Sequence, residues 1–169
     1  DVLMRFTEIF QTIPNLIFLL ALVAVLGPKI EHVVIGIGLI SWTSVARLVR
    51  AEFMTLRERE FVLASRAMGM SDLRIIVTQI LPNAIPPVIV LASLIVAGAV
   101  LFESALAFLG LSDPNIASWG GLIGEGRLLI RTSWYVCALP GLAILLTVLA
   151  LNLIGDGLND VLNPMLKNR

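Results

Sequence analysis

Ala143-Ile144-Leu145-Leu146-Thr147-Val148-Leu149-Ala150-Leu151 forms the centre of an uncharged run from Thr132 to Gly155. Those 24 residues, wound as a helix at about 1.5 Å per residue, reach roughly 36 Å, enough to cross a hydrocarbon core of about 30 Å. Working towards the N-terminus, three more such runs appear. Ile9–Pro28 contains no charge and includes Leu16-Ile17-Phe18-Leu19-Leu20-Ala21-Leu22-Val23, with Gly27-Pro28 as a terminator. Val33–Ala46 is uncharged and short, but reaches spanning length with Ile30 and the apolar stems of Arg47 and Arg50. Ile75–Phe102 is 28 uncharged residues interrupted by Pro82, Pro86 and Pro87. Because proline removes a donor and clashes with the preceding turn, this run is expected to divide. Ile75–Leu81 is then an amphipathic surface segment and a span runs from about 84 to 104.

Composition agrees. The 169 residues are 58% apolar and 14% charged, with a mean hydropathy of +0.96, whereas soluble domains carry about 25% charged residues. Four nearly continuous apolar runs leave no polar face for water, so a soluble bundle is excluded. Twelve Lys/Arg balance twelve Asp/Glu, so nothing in the net charge points to nucleic acid. The expected fold class is all-α, a polytopic transmembrane helix bundle forming one domain over 1–169, with spans at about 9–28, 30–49, 84–104 and 132–155. Nine Lys/Arg (Arg5, Arg47, Arg50, Arg57, Arg59, Arg66, Arg74, Lys167, Arg169) flank one side and three (Lys29, Arg127, Arg131) the other. The bias predicts that both ends and the arginine-rich loop 51–82 are cytoplasmic and that 105–131 is extracytoplasmic, with Trp119 and Trp134 as interfacial anchors. No signal peptide is visible, and the start at Asp1 suggests a piece of a longer polypeptide.

Within 51–82, good helix formers from Thr55 run through Phe61–Met68 and stop at Gly69. Ser71 and Asp72 can cap a second helix carrying Leu73, Ile75, Ile76 and Ile80. This is a helix, a glycine turn and a helix. Ala64, Ser65 and Ala67 leave room for the close approach of another protein, and Arg66 can pair with acidic groups on it. An amphipathic helix lying on lipid headgroups satisfies the same pattern.

Other polar residues are weighed against plainer roles. Cys137 is a small buried hydrophobe, and His32 an interfacial polar residue without a metal-ligand set around it. Glu103, at the end of a span, is a gating or structural candidate, or else is simply solvated or paired with Arg127 or Arg131. Asn152 and Asp156 share a face; they bond a neighbouring helix or, as the favoured reading, end their own. Ser93, Ser104 and Thr147 are candidates for a pathway lining. No charged side chain falls near the middle of a span, which argues against an ion-driven secondary transporter or channel. The absence of convergent Ser/His/Asp or metal ligands within the spans argues against a membrane enzyme. A scaffold subunit that conducts nothing is left open.

Several motifs in order resemble the permease subunits of ABC importers of the dipeptide, oligopeptide and nickel type. Leu63-Ala64-Ser65-Arg66-Ala67-Met68-Gly69, with Leu81-Pro82-Asn83 twelve residues after the glycine, is similar to their EAA loop, with Leu63 in place of the name-giving Glu, Ser65 of the second Ala and Gln79 of an apolar residue. Trp42–Arg50 and Arg57–Val62 resemble the approach to that loop. Glu103–Leu111 and Ser118-Trp119-Gly120 resemble the extracytoplasmic segment, and Asn152–Leu158 the C-terminal signature. The resemblance implies the last four of six spans of a type I importer permease in a bacterial or archaeal cytoplasmic membrane. It also implies a second permease subunit in a heterodimer, two ATP-binding subunits, an extracytoplasmic solute-binding protein and a lipid bilayer around it. No cofactor or metal is expected. The solute is implied to be a di- or oligopeptide, with nickel or a related solute as the alternative. The chain itself has no Gly-x-x-x-x-Gly-Lys-Ser/Thr, and its cluster Gly120–Arg127 lacks the phosphate-cradling lysine. ATP hydrolysis is therefore expected on partner chains, coupled through Leu63–Gly69 together with Leu81 and Pro82.

Overall fold

The computed structural model describes residues 2–111 and 113–162, and Lys167 and Arg169, counted above for orientation, lie outside them. The described residues form helices joined by turns and short connections, without a strand: α1 (Val2–Gln11), α2 (Asn15–Leu26), α3 (Ile30–Arg57), α4 (Glu60–Ala67), α5 (Asp72–Ile75), α6 (Leu81–Phe108), α7 (Trp119–Gly126) and α8 (Tyr135–Leu162). A π turn, Ile76–Ile80, joins α5 to α6, and a 3₁₀ turn, Arg127–Leu129, follows α7. Three helices are long and apolar enough to cross a membrane, or four if the bent pair α1–α2 counts as one crossing. The chain is thus an all-α bundle of membrane-crossing helices.

The first expected span is not one helix. Pro14 cannot donate to the turn before it, and α1 meets α2 at a corner of 78° over Thr12–Pro14. Phe6 and Phe10 of α1 stack at 5.0 Å and reach Trp42 of α3 at 6.2 and 5.9 Å. The aromatic edges hold the corner against the middle of α3.

The expected division of the third run is also overturned. Asp72–Phe108 is one continuous helix of 37 residues. The π turn widens the ladder just before Pro82, with Leu81 N–H donating to the Ile76 carbonyl five residues back. That displacement makes room for the proline ring, and the Asn83 side-chain amide donates to the Gln79 carbonyl at 2.7 Å. Ile75–Leu81 is therefore the base of a long helix, not a separate surface segment. Similarly, α8 runs through Gly155 and Gly157 to Leu162, so Asn152 and Asp156 lie inside a helix and do not end it. A glycine in a helix costs only about 1 kcal/mol relative to alanine, and Gly155 is needed for contact. α3 likewise continues past 49 to Arg57.

Helix α6 is the centre of the bundle, packed against α3, α7 and α8. Its contacts are made where a side chain would not fit. A Cβ on Gly120 would lie 2.5 Å from the Ser104 Cα and 2.8 Å from the Ser104 carbonyl oxygen. A Cβ on Gly124 would lie 2.9 Å from the Ala107 carbonyl oxygen. Residues 120 and 124, four apart, let α7 lie on the α6 backbone, in the small-xxx-small manner of membrane helices. Gly155 lies against the Ser93 side chain, where an added Cβ would fall 3.0 Å from the Ser93 Cβ. Around this frame, Leu19, Val23, Val33, Ile40 and Leu106 form a buried cluster joining α2, α3 and α6.

Gly120→Ala meets backbone that cannot move aside, and overpacking of this kind costs about 1–3 kcal/mol. The protein carrying it should lose several degrees of thermal stability in detergent. Gly98→Ala, on α6 with nothing within 4 Å of the added carbon, should leave the melting temperature unchanged or raise it slightly. Equal effects of the two would contradict the α6–α7 contact.

Candidate functional site

Two regions carry the candidate residues, one at each end of α6. At the lower end, α4 turns back beneath the junction of α3 and α5. Val62 is fully buried with Ile75 and Ile80, and Phe53, Leu56 and Met70 pack around them. Ser65 is buried on the same side, its hydroxyl donating to the Phe61 carbonyl at 2.9 Å. The loop thus has its own small core. The face turned away from that core consists of Leu63, Ala64, Ala67 and Met68, all exposed. These positions fall on one helical face.

Helix α4 closes with a left-handed turn. Gly69 has φ +78°, its N–H donates to the Arg66 carbonyl at 2.9 Å, and the Met70 N–H donates to the Ser65 carbonyl at 3.2 Å. This is a Schellman closure, in which a residue with a Cβ would be strained. Arg66 does not stand free: its guanidinium pairs with Asp72 at 3.6 Å across the turn. Both side chains are largely exposed, so the pair sets geometry more than it stabilises. Ser71 holds the N-cap position of α5 with extended backbone, but its side chain makes no capping bond; the expected cap is not formed there. Leu81 and Pro82 are exposed on the first turn of α6.

The opposite end holds Glu103. It lines a groove of about 570 Å³ between α3, α6 and α7, together with Val33, Val96, Val100, Ser104 and Trp119 among others. Pairing with Arg127 or Arg131, one of the plainer expectations for Glu103, is not observed. The Arg127 guanidinium donates instead to the Phe108 carbonyl at 3.3 Å and lies 6.0 Å from that ring's centroid. Among the described residues Glu103 makes no ion pair within 4.0 Å. Ser104 lines the groove as well, its hydroxyl returning to the Val100 carbonyl at 2.7 Å. Ser93 faces Gly155 of α8 and is no part of the groove. Asn152, one turn before Gly155, has a buried side-chain oxygen without a hydrogen-bond partner among the described residues, whereas Asp156 is exposed. The glycines of 120–126 are packing positions, and no cluster of potential metal ligands occurs among the described residues.

One residue at this end is not singled out by sequence reasoning. Asp113 bridges segments 83 positions apart, accepting from the Ile30 N–H at 3.3 Å at the start of α3 and from the Asn115 N–H at 2.9 Å. Its carboxyl is held below the ordinary aspartate value of 3.8, most of all by the Asn115 backbone N–H; burial opposes this and comes second in size, and the Ile30 N–H, the Asn115 side-chain amide and nearby Lys29 add smaller lowering effects. The Asp113-Pro114-Asn115 turn is a legible signal; its long-range reach to α3 is not.

Residues 1–168 match the family described as the binding-protein-dependent transport system inner membrane component. The chain belongs to that family, and so is a multi-pass inner membrane protein of the transport-permease class. It is 44% identical over 167 residues to a di/tripeptide transport system permease protein, DppC, of Pseudomonas aeruginosa, covering 98% of this chain and 55% of that one. It is 39% identical to the dipeptide transport system permease protein DppC of Alkalihalophilus pseudofirmus, over 97% of this chain and 54% of that one. It is 37% identical to a probable D,D-dipeptide transport system permease protein, DdpC, of Escherichia coli, over 96% and 55% respectively. The chain spans about half the length of these curated relatives.

Asp113 gives a pH test. A carboxylate with a lowered folded-state pKa contributes stability above the unfolded value and loses it as pH falls through the folded value. Asp113→Ala should therefore melt below wild type at pH 7, and the gap should close in acid below the ordinary value of 3.8. A gap that is unchanged at low pH would show that the α3–loop bridge does not act through the charge.

Proposed function

We propose that this chain is the membrane-embedded part of a permease subunit of an ATP-driven ABC importer, passing a di- or oligopeptide inwards. The observation that carries the reading is α4. An eight-residue helix with its own small core and an exposed face of Leu63, Ala64, Ala67 and Met68 is a knob shaped for a protein groove. It stands at the base of a single helix that continues to the groove at the other end. The names of the relatives support a peptide as solute.

In this reading the Arg-rich end, α4 included, faces the cytoplasm, as do the chain's two ends. Two ATPase subunits take up Leu63–Gly69 with Leu81 and Pro82 beside it, a second permease subunit completes a heterodimer, and an extracytoplasmic binding protein delivers the solute. The whole chain acts as one permease domain, with the loop 51–82 on the cytoplasmic side and 105–131 outside. Closure of the ATPases moves α4; because the loop core ties α4 to Ile75 and Ile80, α6 moves with it, and access alternates between two states. Glu103 acts near the outer gate, Asn152 serves the packing of α8, and the exposed Asp156 bonds a neighbouring helix of the assembly.

The deciding experiment places a cysteine at Ala67 in the cysteine-free full-length protein, co-expressed with its ATPase subunits. A short bifunctional thiol reagent should yield an adduct to the ATPase that changes with ATP. No adduct from Ala67, Ala64 or Met68 would return α4 to a lipid-surface helix and favour an ion-driven carrier.

Gly69 separates strain from docking. A Cβ added there meets nothing within 4 Å inside the chain, so Gly69→Ala and Gly69→Glu share the same backbone strain, about 1–2 kcal/mol. Gly69→Ala should retain most uptake. Gly69→Glu should hydrolyse ATP while uptake falls at least tenfold; wild-type uptake by that variant would remove Gly69 from the docking surface.

A further inference from the structure

The groove at the outer end of α6 has an unusual lining. Its walls are the valines and isoleucines of α3 and α6, and Glu103 is its single ionisable side chain. An ionised carboxylate accepts hydrogen bonds and cannot give them, so in an apolar wall a donor or cation brought beside it is favoured. The cations at that end do not supply one. Arg127 is held on the Phe108 carbonyl, and Glu103 has no ion pair among the described residues. The hydroxyl of Ser104 is already donated to Val100.

Charge complementarity therefore calls for an occupant that brings its own cation. The volume, about 570 Å³, is in the range of small-molecule sites, which run from about 300 to 1,000 Å³. A bare metal ion is a poor match, since one carboxylate among valines supplies too few oxygen ligands. An anionic lipid headgroup would be repelled. An ammonium joined to an apolar body fits both parts of the lining: the charge meets Glu103, and the body lies against Val33, Val96 and Val100, with the Trp119 ring at the rim. Beside it, a second depression shares Ala117, Ser118 and Leu122 with the groove and is lined by Asp113 and Glu125 without a basic residue. The approach thus presents two carboxylates, one of them, Asp113, already close to Lys29.

We propose that this groove binds the N-terminal end of a short peptide, the free α-ammonium resting on the Glu103 carboxylate and the first side chain on the valine wall. The assignment builds on the reading of the chain as a peptide importer permease, and adds the residue that selects for a free amino terminus.

The test uses the full-length permease with its partner subunits in proteoliposomes, cysteine-free except for a thiol at Ala99 in the groove wall. Leu-Leu should slow maleimide labelling of that thiol several-fold, and N-acetyl-Leu-Leu should not. Glu103→Gln should require about tenfold more Leu-Leu for the same protection, and should raise the KM for Leu-Leu uptake with kcat little changed. Glu103→Asp should recover part of both. Equal protection by the acetylated peptide, or unaltered protection in Glu103→Gln, overturns the proposal. So does a thiol already shielded without peptide and cross-linking to the second permease subunit, since a protein then fills the groove. Failure of the peptide-importer reading is separately visible as absence of ATP-dependent Leu-Leu uptake by the Glu103 protein, whatever the labelling shows.

Discussion

In a hydrocarbon medium, backbone N–H and C=O groups have no water to turn to, and helices must satisfy them from within. That constraint is sharpest in α6, which contains Pro82, Pro86 and Pro87 yet remains unbroken. The π turn at Ile76–Ile80 and the Asn83 amide on the Gln79 carbonyl accommodate the first of these rings locally. With continuity preserved, Leu81 and Glu103 stand about 33 Å apart along one helix. The loop around α4 and the groove around Glu103 are then two ends of the same body, and a displacement at one end has a direct mechanical route to the other.

What positions that body is backbone contact. Lipid tails are as apolar as leucine, so burial of large side chains between helices gains little in the membrane, and close packing decides the arrangement. Gly120 and Gly124 press α7 onto the α6 backbone, and Gly155 leaves room on α8 for the Ser93 side chain. The first of these contacts also shapes the groove, since Ser118 and Trp119, which line it, directly precede the Gly120 that lies against Ser104. Asp113 completes the frame by tying the connection after α6 to the first turn of α3. The groove's walls are fixed from three sides, while the carboxylate inside it has no ion-pair partner among the described residues.

Much of this is legible in the residues. Uncharged runs of about twenty identify membrane helices because the bilayer thickness fixes their length. Gly69 reads as a stop because only glycine takes the left-handed conformation easily, and small residues before it mark an exposed, approachable helix. The failures have equally definite causes. Pro14 and Pro82 are the same residue type in similarly apolar runs, yet one makes a corner and the other a continuous helix; the difference lies in a π turn and a side-chain amide that no local rule foresees. Gly155-Asp156-Gly157 looks like a helix end, but Gly155 is there for the neighbour it touches. Which side chain meets which across distant segments, as with Asp113 and Ile30 or the unpartnered Glu103, follows from packing that periodicity does not encode.

The π turn has one more consequence, a matter of phase. Each residue of an α-helix turns the chain by about 100°, so adding or removing one between Ile80 and Glu103 would swing the carboxylate to another side of the bundle while leaving α4 where it is. A π turn is itself such an offset, one residue more than an α turn holds. The bearing of Glu103 relative to the loop core is therefore set in part by five residues far from it, Ile76 to Ile80. If that turn relaxed into regular α-helix, α6 would rotate about its own axis and carry the groove's only charge out of the groove, with no bend anywhere in the rod.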